Sequence, residues 1–199
     1  NRSLPFKSNR QDSFSGSIFY AVPLGYQTLS LSASRSEYDS TLKTEFNQLH
    51  SSGETNTYTG RLDSLLYRGL NNQLRANIGL IHKDTAAFLE DIKLDVSSRK
   101  LSVLDVGLSY SDMLLAGVVN LNAGYSRGLK VFNALEDTAD LPVDMPKAQF
   151  EKLIYGLSYF KPFQVLGQNF SFSSSFSGQY ALDPLYGSEQ YSIGSLYSV

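Results

Sequence analysis

Ser97-Ser98-Arg99-Lys100 fits S-x-x-K, the pattern in which a serine nucleophile forms an acyl-enzyme and a lysine three residues on serves it. That chemistry needs the serine at the start of a helix and an S-D-N partner elsewhere. Here the match falls between two β-type runs, and Ser111-Asp112-Met113 is not S-D-N. No catalytic residue is assigned. His50 and His82 stand in polar stretches and are too few for a metal site. Glu90 and Asp91 are adjacent, so on a strand they point to opposite faces and cannot work as a carboxylate pair. Glu136, Asp137, Asp140 and Asp144 could hold a divalent cation loosely. No D-x-D-x-D-G loop accompanies them, and a solvated loop is the stronger reading. The sequence has no Cys, which removes disulfides, thiolate metal sites and cysteine nucleophiles. The expectation is a protein that is no enzyme and uses no cofactor.

The elements that carry these residues read as strands. The chain has 199 residues, 42% hydrophobic and 18% charged, with a net charge of −2. The charged fraction lies below the roughly 25% of soluble domains. Thirteen Tyr, twelve Phe and many Ser and Gly, with no Trp, favour β structure over helix. Neither a basic excess nor a Lys/Arg cluster supports a nucleic-acid partner. The longest apolar run, Met113 to Val119, is far short of the roughly 18 residues of a transmembrane helix. No signal peptide is visible and the first residue is Asn1, so the chain is expected to be processed, trimmed or a piece of something longer.

Alternation with period two runs almost throughout. Ser13 to Val22 sets Phe14, Ile18, Tyr20 and Val22 against serines, and Pro23-Leu24-Gly25 reads as a turn. A second strand covers Tyr26 to about Arg35, followed by a long polar loop to about Thr55. Asn56 to Tyr67 places Tyr58, Gly60, Leu62 and Leu66 on one side and Arg61 and Asp63 on the other. After a turn at Gly69 to Asn72, two readings are open. Phe88, Ile92, Leu94 and Val96 keep the phase of Leu74 to Leu80, which favours one long strand from Gln73 to Val96. Otherwise His82-Lys83-Asp84-Thr85 is a hairpin between two strands. Further strands are expected over Lys100–Tyr110, Leu115–Ser126, Phe150–Phe160 and Gln168–Leu182. A second long loop spans Gly128 to about Ala148, and Lys161 to Gly167 reads as a turn. That makes about eight strands, longer than the usual five or six residues.

Period two alone does not separate a lipid-facing side from a soluble core. The opposite faces are Ser, Thr, Asn, Gln and Gly, as in a wet barrel interior. The mid-strand charges Arg61, Asp63, Arg75, Asp105 and Lys152 all fall opposite the apolar face, and are candidates to face a lumen. A charge on the lipid side near the midplane would cost about 2–4 kcal/mol. With Gln73–Val96 as one strand, the tight connections gather at one end and the long ones at the other, the asymmetry of outer-membrane barrels.

Three stretches carry a family resemblance. Tyr20-Ala21-Val22-Pro23-Leu24-Gly25-Tyr26 is similar to a Y-x-x-P-L-G-aromatic hairpin, and Ala123 to Leu129 to a strand ending Y-S-R-G-L. Gly178-Gln179-Tyr180-Ala181-Leu182 with Leu185, then Ser188-Glu189-Gln190-Tyr191-Ser192-Ile193-Gly194, resembles G-Q-Y-S…L…S-E-Q-F-x-I-G-G leading to V-R-G-F/Y. These patterns belong to two-partner secretion transporters, the haemolysin secretion/activation proteins of the barrel-assembly superfamily. Ser195 stands where that family has a second Gly, and Val199 falls on the Val of the last motif.

The resemblance implies an all-β transmembrane antiparallel β-barrel segment over residues 1–199, about eight strands of a barrel of about 16. It implies an inward-folded loop hairpin beginning over about 183–199, with Gln179, Gly194 and Val199 at its motif. It further implies a pore in the Gram-negative outer membrane that exports a large β-helical exoprotein, with that exoprotein and outer-membrane lipid as partners. The family's best-known functional residues lie beyond Val199, so none is carried over. A diffusion porin or autotransporter-like barrel is the alternative, and a soluble β-sandwich binding module the more distant one.

Overall fold

The computed structural model describes residues 11–43, 48–90, 92–94 and 97–191. Gly194 and Val199 lie outside the described residues. The strands are β1 (Gln11–Leu24), β2 (Gln27–Lys43), β3 (Gln48–Arg68), β4 (Asn72–Leu89), β5 (Ile92–Lys93), β6 (Arg99–Leu114), β7 (Gly117–Leu129), β8 (Glu151–Val165) and β9 (Gln168–Ala181). They form one antiparallel sheet in the order β1-β2-β3-β4-β6-β7-β8-β9, with the two-residue β5 folded back on β4. Eight long strands in sequence order make an up-and-down meander. Among the described residues there is no α-helix, and Gly187–Glu189 forms a single 3-10 turn.

Four tight turns close one end of the sheet. Gly25 takes φ 65 at the first central position of the β1–β2 turn, the type II′ arrangement that glycine serves. Leu115 and Ala116 have φ 53 and 61, and Leu166 and Gly167 have φ 53 and 79, so both turns are left-handed at each central residue. Such type I′ turns match the right-handed twist of the strands they join. The Gly69 N–H donates to the Asn72 carbonyl at 2.8 Å and closes the fourth. The other end carries the longer features: the β2–β3 hairpin, the β4–β6 connection, the 130–150 loop and the segment after β9.

Several sequence expectations change. The polar stretch expected as a loop from about 36 to 55 is strand over residues 36–43 and 48–55. β2 and β3 stay paired from Gln27↔Ser64 to Lys43↔Gln48, and residues 36–40 and 51–55 also pair outward with β1 and β4, so the sheet continues through this hydrophilic stretch. His82 to Thr85 is no hairpin, and β4 runs through it. Nor does the strand reach Val96. Glu90 turns at φ 50, and β5 pairs back as Leu89↔Ile92. Leu115 belongs to a turn rather than to β7. Lys161 to Val165 continues β8, Pro162 included. A proline is tolerated there because pairing with β7 stops at Val118↔Phe160, so its missing N–H faces no partner. Leu66 is a bulge residue between Leu65↔Arg75 and Tyr67↔Leu74, which moves Tyr67, not Leu66, onto the apolar face.

Among the described residues no second layer covers the apolar face. Ile18 and Phe176, near opposite edges, are 76% and 63% exposed. The buried apolar cluster is small: Val103, Phe150 and Leu185, with Ile81 against it. Ile81 and Val103 share the phase of the polar residues, so this core sits on the polar face, beneath the segment that follows β9.

Candidate functional site

Register places the candidate charges together. Reading across the sheet, Ser30, Arg61, Gly79, Asp105, Ser126 and Lys152 form one continuous row. Asp63 lies in the next row, with Thr28, Asn77, Gly107, Gly124, Ile154 and Gln179. Arg75 lies one row further toward the tight turns, with Ser109, Asn122 and Ser177. All five charges and Gln179 therefore share a face, spread over three adjacent rows rather than gathered at one point. The Arg61 guanidinium reaches Asp63 at 3.1 Å, and Arg75 donates to Gln73 at 3.4 Å. Ser109 donates to the Asn122 side chain at 2.8 Å, and Asn120 to Ser158 at 3.3 Å. The face is a lattice of half-exposed hydroxyls, amides and short-range ion pairs.

The opposite face is continuous and apolar. Val22, Leu29, Leu62, Ile78, Val106, Tyr125, Leu153 and Tyr180 follow one another in a single row. Polarity returns on this face at both ends, with Asn72 and Asp112 by the tight turns and ion pairs at the loop end. There Arg35 meets Glu54 at 3.1 Å, Lys100 meets Asp84 at 2.8 Å and Arg127 meets Glu151 at 3.5 Å. The charges border the apolar band instead of interrupting it, as a hydrocarbon layer with a wet margin requires.

Two residues of the polar face were missed by sequence reasoning. Lys83 on β4 and Glu189 in the 3-10 turn meet at 2.6 Å, and Lys152 on β8 reaches the same carboxylate at 2.9 Å. Burial pushes the Glu189 carboxyl up, but the two ammonium donors outweigh it, and the group ends below its usual value. Phase was the usable signal for Lys83, which follows Arg75 and Asn77 on odd-numbered positions. Reading His82 to Thr85 as a possible hairpin hid it. Arg99 caps the same region, its guanidinium 4.4 Å from the Tyr186 ring centre.

The 130–150 loop is tied down from within. The Asp137 carboxylate accepts the N–H groups of Ala148 and Gln149 at 2.7 and 2.8 Å, and Gln149 accepts the Asp137 N–H at 2.7 Å. Asp137 thus serves as a backbone cap, and no group of three or more candidate metal ligands occurs among the described residues.

The family of haemolysin secretion/activation proteins, ShlB/FhaC/HecB, matches residues 1–199, the whole chain. The chain belongs to this family. It is similar to the outer membrane transporter CdiB of Dickeya dadantii (strain 3937), 33% identical over 181 residues, 90% of this chain and 32% of that protein. It is similar to the hemolysin transporter protein HpmB of Proteus mirabilis, 27% identical over 176 residues, 88% of this chain and 31% of that protein. The solved structure of CdiB from Escherichia coli superposes with a TM-score of 0.85 at 30% identity, covering 95% of this chain and 34% of that one. The chain spans about a third of the length of these relatives. The expected fold class therefore stands: an all-β antiparallel barrel segment, not closed within these residues.

Proposed function

We propose that this chain forms part of the wall of an outer-membrane pore that carries a large β-helical exoprotein from the periplasm to the surface of a Gram-negative cell. One observation carries the reading: a single-layer sheet keeps an apolar band bare, and the charges level with that band fall on the other face. The apolar face meets lipid, and Arg61, Asp63, Arg75, Asp105 and Lys152 line a hydrated passage. Membership of the family, and relatives described as transporters, support this over a diffusion porin or an autotransporter-like barrel.

The wall performs no covalent chemistry and needs no cofactor. Its hydroxyls and amides offer a sliding chain weak hydrogen bonds, each worth about 0.5–1.5 kcal/mol net and each replaceable by water or by the next residue. No single contact is strong enough to stall passage. Folding of the partner outside the cell supplies the direction. Residues 183–199 begin an inward-folded hairpin, a reading supported by the ion pairs of Glu189 with Lys83 and Lys152 on the polar face.

Nitroxide labels at Leu31, Val106 and Leu157 in the reconstituted full-length protein test the orientation. Labels that collide with oxygen dissolved in the lipid, and not with an aqueous nickel complex, support it. Labels protected from both report a dry protein interior, and the pore reading then fails.

A further inference from the structure

Glu189 is 6% exposed, yet it is an acid on a segment that crosses a polar face. Its side chain accepts hydrogen bonds from Lys83 Nζ at 2.6 Å and Lys152 Nζ at 2.9 Å, and its carbonyl accepts a second bond from Lys152 at 3.0 Å. Lys83 stands on β4 and Lys152 on β8, three steps apart in the sheet, which is about 14 Å at ordinary strand spacing. One carboxylate thus clasps two wall positions that the sheet itself holds apart. Asp105, Gln179, Ser188 and Tyr191 join these three around a cavity of about 310 Å³. The charged groups facing Glu189 are therefore two ammoniums and one further carboxylate, with the Tyr191 phenol beside them.

The other end of the segment is fixed independently. Asp183 accepts from Lys147 Nζ at 2.7 Å and from the Glu151 N–H at 3.1 Å, and the Lys147 N–H donates to the Pro184 carbonyl at 2.9 Å. Between the two ends, Leu185 is buried against Val103 and Phe150. The Asp183 end is tied to the rim of the sheet and to the 130–150 loop. The Glu189 end reaches inward and is held by charge.

We propose that Glu189, Lys83 and Lys152 form a charge latch that seats residues 183–191 on the polar face, and that removing the Glu189 charge frees the inner end while the Asp183 end stays tethered. Removing one partner of a buried ion pair leaves its counter-charge without compensation. Lys152, only 9% exposed at its side chain, is then left beside Lys83 without the carboxylate that offsets both, and lifting of the segment relieves this by hydrating the two ammoniums. The consequence for transport rests on the reading of this face as a passage wall: the seated segment narrows the passage and the freed one widens it.

The test uses the full-length protein in lipid bilayers, with a nitroxide at Gly187→Cys, where an added Cβ meets nothing within 4 Å. Glu189→Gln is expected to raise the mobile fraction of the label by about tenfold, a conservative size for a broken buried pair. Single-channel conductance in potassium chloride should rise in the same variant. Lys83→Gln, altering the more exposed partner, gives the same readout should Glu189→Gln not fold. A label that stays immobile in folded variants overturns the latch. A freed label with unchanged conductance leaves the latch standing and removes the pore reading instead.

Discussion

The Tyr155 ring lies over Gly178, its register partner on β9, so closely that a Cβ at residue 178 would collide with the phenol. Tyr155 also stacks on Phe176, with ring centres 5.8 Å apart. An aromatic ring laid across a glycine covers backbone that the glycine leaves bare and pins the register of the two strands. This accounts for the glycine that opens Gly178-Gln179-Tyr180, the stretch that leads from β9 into the inward segment.

Gly178→Val is therefore expected to displace Tyr155 and lower stability by about 1–3 kcal/mol, the usual cost of overpacking. Urea unfolding of the full-length protein in detergent measures it. Adding Tyr155→Ala removes the clash, so the double variant should lose less than the two single losses summed. Simple additivity would mean that the ring does not constrain position 178.

Leu121 and Asn122 are neighbours on β7 with opposite environments. Leu121 sits in the apolar band beside Tyr110 and Leu157, while Asn122 accepts a hydrogen bond from Ser109 on the polar face. Leu121→Arg should cost about 2–4 kcal/mol in a bilayer, whereas Asn122→Arg should cost little and change ion selectivity toward anions. Folding yield into vesicles and reversal potentials in a salt gradient report the two effects. Equal costs at the two positions would contradict the assignment of faces.

What the sequence made legible follows the physics of alternation. Arg61, Asp105 and Lys152 were assigned to one face by phase alone, and the register puts them in one row. Phase fails where one residue is inserted: the bulge at Leu66 shifted Tyr67 onto the face expected for Leu66. Composition misled at 36–43 and 48–55, where a hydrophilic strand pair has the residue types of a loop and differs only in its pairing. Leu115 and Ala116 carry no turn residue, because the twist of β6 and β7, not local preference, selects their left-handed backbone. Lys83 and Glu189 are 106 residues apart, and no local pattern announces that they meet.

Asp137 accepts two backbone N–H groups across the base of the 130–150 loop. Bonds to an ionised acceptor are each worth about 1.5–3 kcal/mol where water is excluded, and less at this half-exposed position. Asp137→Ala should loosen the loop without unfolding the sheet. Limited proteolysis should then cut within 130–150 at a rate raised by about tenfold, with strand content by circular dichroism unchanged. A cutting rate equal to that of the unaltered protein would show that the carboxylate does not order the loop.

Acid should open the contact between Glu189 and its two lysines, and the sign follows from the direction of its shift. Burial alone would raise the carboxyl, but hydrogen bonds from Lys83 and Lys152 bring it below its ordinary value of 4.5. A group depressed in the folded state contributes fully above its unfolded value, and that contribution is lost as pH falls through the folded one. Protonation of Glu189 leaves two ammoniums facing a neutral acid. A label at Gly187 should stay immobile from about pH 7 to about pH 5 and become mobile only below the ordinary carboxylate range. Glu189→Gln should already be mobile at neutral pH and show no such transition. Release between about pH 5 and pH 7 would point to a histidine or to a carboxyl raised by burial, and against the direction assigned to Glu189.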